Sequence, residues 1–208
     1  MASRAYDMSR RARAVDAARE AALSAAYALL ADPNCHELSV DATARAAGVT
    51  RATLYNQFGS RSELLVAVFR DLARRMKADR IYVAMRLPNP VQALTETLRE
   101  STRAYARERQ VIRKLFALAT LDAEVQAEVE RSERQRRQSL VHLVTRLAAC
   151  GHTHSDVAEA AAMLASLTSF QAFEALSFDV GPRLTERRLL DLAQVYLGIS
   201  NNEKGGIE

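Results

Sequence analysis

Residues 39–69, SVDATARAAGVTRATLYNQFGSRSELLVAVF, constrain the fold more than any other stretch of the chain. Val40, Ala44 and Ala47 recur at helical spacing, and the two alanines are small enough for a second helix to cross closely. Gly48 follows the last periodic residue, where a left-handed residue ends a helix, and Val49 can return an apolar contact. Thr50 then opens a second helix: its hydroxyl caps the free amides of Arg51 to Thr53, Leu54 and Phe58 point one way, and Arg51, Thr53, Tyr55, Asn56 and Gln57 stay outside. A helix this short falls below the ~12–15 residues that stand alone in water, so neighbours must hold it. Ser60 and Glu63 form a capping box for a longer helix through Leu65, Val68, Phe69, Leu72 and Met76, which the spacing carries on to about Arg86. Two short helices about a glycine turn, with donors displayed outward, are the layout of a module that lays a helix in the major groove of DNA.

The rest of the chain reads as helix nearly throughout. Four prolines and seven glycines punctuate the 208 residues, and no run of alternating β-branched residues competes. A first helix spans about residues 10–31, with Val15, Ala18, Ala22, Ala26 and Leu29 on one stripe and Leu23, Tyr27 and Leu30 beside it. After Pro88-Asn89-Pro90, Val91, Leu94, Leu98 and Tyr105 mark a fifth helix, and Val111, Ile112, Leu115, Phe116 and Leu118 a sixth. A seventh runs from about Ala123 to Cys150. Its charged middle, ERSERQRRQ, pairs Glu130 with Arg134 and Glu133 with Arg137 in acid-before-base order, as a solvated face does. The eighth, Ser155 to about Phe178, is apolar almost all round and needs cover on every side. The last, Thr185 to Gly198, carries Leu189, Leu190, Ala193, Tyr196 and Leu197, with Leu184 and Leu189 as a staple around a Thr185 cap. The expectation is an all-α protein of about nine helices.

Charge divides the chain. Residues 1–77 carry 12 basic and 8 acidic side chains and residues 78–208 carry 17 of each, so the whole excess of +4 is N-terminal. That asymmetry suits an anionic partner for the first part. The longest uncharged run, residues 160–173, is too short to span a membrane, and Arg4, Asp7, Arg10, Arg11, Arg13 and Asp16 interrupt any leader-like stretch, which points to the cytoplasm. Two cysteines, Cys35 and Cys150, form no disulfide framework and suit a reducing compartment.

The run A-x-A-A-G-V-T-x-A-T-L-Y-x-x-F-x-S-[KR]-x-E-L-L, here from Ala44 to Leu65, resembles the signature of the tetracycline-repressor (TetR) family of bacterial transcription regulators. Thr43 departs from it, standing where the family places a buried aliphatic residue. The resemblance implies a three-helix helix-turn-helix domain over 1–77 and an effector-binding and dimerisation domain over 78–208. It implies a duplex DNA operator as partner, with Arg51 and Thr53 reading bases and Ser39, Thr50, Tyr55, Gln57 and Arg61 holding phosphates; Asn56 either reads adenine or holds phosphate. Arg4, Arg10, Arg11 and Arg13 form either a minor-groove arm or a plain tail. The family pairs its last two helices with those of a second subunit as a homodimer, although the same two helices would also close a monomer core. A small-molecule effector releases the operator; Tyr105, Phe116, His142, Met163, Leu167 and Phe170 lie on inward stripes and either line its cavity or pack the core.

Two alternatives stand beside this reading: a regulator of the same fold with no small-molecule effector, and a helical enzyme or interaction module. Against an enzyme, the chain has no G-x-S-x-G, phosphate loop, H-E-x-x-H or Gly-rich dinucleotide turn, and no cofactor is implied. Cys150, His152 and His154 in C-G-H-T-H bring three donors into one loop, but with no fourth ligand the loop reads as a helix end rather than a metal site, and Cys35-His36 is sparser still.

Overall fold

Ten α-helices and no strand occur among the described residues of the computed structural model, which are 2–35, 38–153 and 156–199, with side chains from Arg13 onward. The chain divides into two compact units. One comprises residues 1–73 and 109–129, the other 74–108 and 130–208.

The first unit is built on α1 (Ala2–Ala31), α2 (Val40–Ala47), α3 (Arg51–Phe58) and α4 (Arg61–Arg75). α1 packs against both short helices. Ala22, Ala26 and Leu30 of α1, Val40 and Ala44 of α2, Leu54 and Phe58 of α3, and Leu64, Leu65 and Val68 of α4 are all buried. At about 1.5–3 kcal/mol for each large aliphatic side chain, this shared interior is what lets two eight-residue helices persist. Val15 is 47% exposed, so the expected α1 stripe enters the core only from about Ala22. At the other end of α1 the Lys114 ammonium donates to the carbonyls of Asp32 and Cys35, closing the turn at Pro33. Thr43, the departure from the family signature, is fully buried with its hydroxyl donating to the Ser39 carbonyl at 2.9 Å, so a threonine replaces the aliphatic residue with no unmet polar group.

The second unit holds α5 (Ala78–Met85), the larger part of α6 (Pro90–Ala119) and of α7 (Ala123–Ala149), and α8 (Val157–Leu167), α9 (Phe170–Leu176) and α10 (Pro182–Tyr196). Its core joins Leu94 and Leu98 with Leu140, Leu143, Leu147, Leu164, Leu189, Ala193 and Leu197. Asn89 caps α6 through the amides of Val91 and Gln92, and Arg146 donates to the carbonyls of Met85, Leu87 and Pro88, which α5 and its exit leave open.

Several boundaries differ from the sequence pattern. α1 starts at Ala2 rather than near residue 10. The helix expected from Ser60 to about Arg86 breaks at Lys77, which sits in the left-handed region (φ 54°, ψ 47°), and Arg107 donates to the Met76 carbonyl that the break exposes. A non-glycine residue there costs about 1–2 kcal/mol, which the pattern of apolar residues cannot reveal. The expected fifth and sixth helices are one, α6: nothing in residues 106–110 breaks a helix, and Glu108 is buried beside Arg107 at 3.6 Å. The expected eighth helix is two. Thr168 ends α8, its hydroxyl donating to the Leu164 carbonyl, and Ser169 caps α9 through the Ala172 amide at 3.1 Å. The last helix begins at Pro182 with Gly181 as its cap residue; Thr185 lies inside it, buried, with its hydroxyl donating to the Gly181 carbonyl, so there is no Thr185 cap for a staple to flank.

Candidate nucleic-acid interface

The α2–α3 turn closes on backbone alone. Gly48 adopts φ 66°, its amide donates to Arg45 O at 3.2 Å, and the Val49 amide reaches Ala44 O at 3.0 Å, the paired bonds of a Schellman ending. Both helices start on side-chain caps: Ser39 Oγ accepts from the Ala42 amide and Thr50 Oγ1 from the Thr53 amide, each at 3.1 Å. Gly59 then turns the chain at φ 78°, and Ser60 Oγ accepts from the Glu63 amide at 3.0 Å to start α4. The positive φ favours glycine at this position; a methyl group there would lie 2.1 Å from Glu63 Oε2, the end of an exposed side chain that can turn aside.

The eight candidate DNA residues sort into three groups on this frame. Arg51, Tyr55 and Asn56 are exposed on α3, with Arg51 and Tyr55 one turn apart. Thr50 and Thr53 sit at the α3 N-terminus, their hydroxyls 2.9 Å apart, and Ser39 holds the equivalent place on α2. Gln57 and Arg61 turn to the protein: Gln57 Nε2 donates to Val15 O at 3.2 Å, and Arg61 Nε donates to Leu38 O at 2.7 Å with its guanidinium 4.0 Å from Asp122. Arg19 donates to Gln57 O and lies over the Phe58 ring, fixing the far end of α3. Arg13 is exposed, while the Arg4, Arg10 and Arg11 side chains lie outside the described residues.

Asp41 was not among the sequence candidates. Its carboxylate accepts from Arg51 Nη1 at 3.1 and 2.9 Å, while Arg51 Nη2 reaches the Tyr55 hydroxyl at 3.3 Å and the guanidinium lies 5.4 Å from that ring's centroid. Arg45, exposed on the last turn of α2, is a second residue missed; its only sequence signal is its place on the polar face of α2. Asp122 stands behind α4 in the same unit, taking the Ser62 hydroxyl at 2.7 Å and capping α7 through Glu124 and Val125. Burial pushes its carboxyl up, but these hydrogen bonds and the Arg61 charge outweigh that, and it lies below its ordinary value.

In the second unit the candidate effector residues do not share one environment. Tyr105 meets Phe170 edge to face at 5.6 Å and donates to Thr168 O at 2.9 Å; burial pushes its phenol up to about 12. Leu167 packs on the core and Met163 is exposed. His142 lines a cleft of about 390 Å³ with Tyr82, Met85, Arg86, Ser139 and Arg146. Phe116 belongs to the first unit, half-buried. Arg136, read from sequence as part of a solvated face, is mostly buried: it bonds Glu133 at 2.5 Å, Thr168 Oγ1 at 2.6 Å and Ala165 O at 2.9 Å, so Glu133 pairs three residues on rather than four. Glu130 and Arg134 pair as the spacing predicts, at 3.6 Å. The C-G-H-T-H loop ends α7 on Gly151 at φ 78°, with His152 N bonded to Leu147 O; Cys150 is exposed, and His154 lies outside the described residues. No described helix is long and apolar enough to cross a membrane.

The fold and this turn define a helix-turn-helix protein. Residues 22–68 match the family model of bacterial regulatory proteins, tetR family. A relative, the HTH-type transcriptional regulator BetI of Rhizobium meliloti, is 28% identical over 126 residues, 60% of this chain and 58% of that protein. The match thus spans under two thirds of that relative's length. Among solved structures, a TetR transcription regulator from Haloarcula marismortui superposes with a TM-score of 0.71 at 17% identity, covering 87% of this chain and 96% of that one. A putative TetR-family regulator from Rhodococcus sp. gives 0.69 at 19% identity, covering 88% and 99%. AibR, in complex with isovaleryl coenzyme A and operator DNA, gives 0.65 at 20% identity, covering 88% and 98%. At these identities the structures establish the common fold.

Proposed function

We propose that the protein is a transcriptional regulator that binds duplex DNA through α3 and leaves it when a small molecule occupies the second unit. The observation that carries the reading is the exposed face of α3. An eight-residue helix, capped at Thr50 and locked at both ends, displays Arg51, Tyr55 and Asn56 with no acidic residue in its first turn, so its positive N-terminal end is open to phosphate. Arg51 grips a guanine edge, Thr53 meets a base acceptor or thymine methyl, and Thr50, Tyr55 and Ser39 hold phosphates. Gln57 and Arg61, tied to the α1 backbone and to the chain before α2, contribute by fixing α3 and reach phosphate only by exchanging those bonds.

One recognition helix reads too few base pairs for a unique site, so two copies acting as a homodimer are required. Apolar side chains left open on the last helices supply the contact: Met163 on α8, Leu184, Leu192 and Val195 on α10, with Val195 81% exposed. The effector site of this reading lies in the second unit, with His142 in its cleft and Tyr105 beside Phe170 as the groups that orient a ligand, and AibR, in complex with both a small molecule and operator DNA, supports a regulator that binds both. Selection from a randomised duplex pool tests the proposal. A twofold-symmetric motif, bound by two chains with affinity that falls as salt rises, is the expected result; recovery of no motif overturns it.

A further inference from the structure

We infer that Asp41 is a positioning residue for Arg51, one that holds the guanidinium for a neutral base edge and against a phosphate. The inference rests on the DNA-binding reading above. Asp41 stands in the first turn of α2, where a carboxylate suits the helix dipole, so α2 and not Arg51 fixes its place. Arg45 lies one turn on along the same helix, yet the partner of the carboxylate is Arg51, ten residues away on α3. Both side chains are half or more exposed, at 60% and 50%, so the pair adds little to stability and no buried group depends on it.

What the pair does is orient. Asp41 takes Nη1 through both oxygens, and Tyr55 takes Nη2 through its hydroxyl while its ring lies beside the guanidinium. Nε and the remaining hydrogens stay available, and guanine needs two parallel N–H donors for O6 and N7. A guanine edge is uncharged, so it can join Arg51 while Asp41 remains in contact. A phosphate brings a second negative charge against the carboxylate and must displace it. Asp41 therefore weakens non-specific binding more than specific binding, and lowers the ordering cost of the reading side chain.

The test uses the full chain with wild type, Asp41→Asn, Asp41→Glu and Arg51→Ala, each passed through a randomised duplex pool and then titrated with the selected duplex and a scrambled one. For Asp41→Asn the account expects an unchanged thermal midpoint and tighter binding to the scrambled duplex. The salt slope on that duplex should steepen by about two, as each chain of the dimer frees one arginine for a phosphate contact. The selected-to-scrambled ratio should fall roughly tenfold for each half-site, the order of one lost base contact, at the same base pair that Arg51→Ala relaxes. Asp41→Glu should restore part of the ratio. If wild type selects a motif and Asp41→Asn selects the same motif with the same ratio and slope, or weakens both duplexes equally, the inference fails alone. If wild type selects no motif, the DNA reading fails and takes the inference with it.

Discussion

Two breaks between short helices show how differently the units of this protein are held. At Gly48 the backbone closes the turn itself, through a left-handed glycine and two amide bonds to α2. At Thr168 no glycine or proline is present, and the carbonyls left open by the break are met from distant elements: Arg136 of α7 takes Ala165 O, and Tyr105 of α6 takes Thr168 O. The first turn needs only its own residues, which leaves the outer face of α3 unencumbered. The second exists because α6 and α7 supply donors, so whatever disturbs Arg136 or Tyr105 disturbs α8 and α9 together.

Removing residues 183–208 should have the largest effect, because Leu189, Ala193 and Leu197 leave the core of the second unit. Two buried leucines alone are worth about 4–10 kcal/mol, enough to unfold that unit. Circular dichroism and sedimentation check this, and a truncated chain that stays folded and dimeric would remove α10 from both core and interface. Next in size is Arg136→Met, which leaves Glu133, Ala165 O and Thr168 Oγ1 without their donor. The loss should be about 2–3 kcal/mol, below the figure for a sealed pair because Glu133 keeps 36% of its surface. An unchanged melting temperature would mean that the α8–α9 break holds itself. Gly48→Ala should cost about 1–2 kcal/mol, since the left-handed region is open to glycine and space around it is not limiting. A melt with no shift would show the turn adopting another geometry.

The smallest effect separates the two units by pH. Asp122 in the first unit lies below its ordinary carboxyl value, so its stabilisation is present above that value and is lost as pH falls through the lower folded one. Tyr105 in the second unit is raised to about 12 by burial, so its contribution is intact below the ordinary tyrosine value and disappears as pH rises through about 12. Chemical denaturation across pH should therefore show an acid-side change in Asp122→Asn and an alkaline-side change in Tyr105→Phe. Exchange of the two sides would contradict the assignments.

The same contrast explains what was readable in the chain. Gly48, Thr50 and Ser60 act on their own backbone within a few residues, and each of these caps and turns follows from residue type and spacing. The break at Lys77 and the split at Thr168 depend on Arg107, Arg136 and Tyr105, partners that meet only after folding, whereas α6 is continuous because nothing in residues 106–110 breaks a helix. The candidate interface divides likewise. Exposure of Arg51, Tyr55 and Asn56 followed from helical spacing, whereas the inward bonds of Gln57 and Arg61 and the Asp41–Arg51 pair required the positions of α1, α2 and α3 together.

The central claim is that α3 reads sequence through Arg51. Its most direct measurement is the affinity of wild type and Arg51→Ala for the selected duplex and for a scrambled one of equal length at fixed salt. The account predicts a loss of about 1–3 kcal/mol for each half-site of the selected duplex, confined to one base pair in each, with little change on the scrambled duplex. An equal loss on both would make Arg51 a phosphate contact and contradict the account.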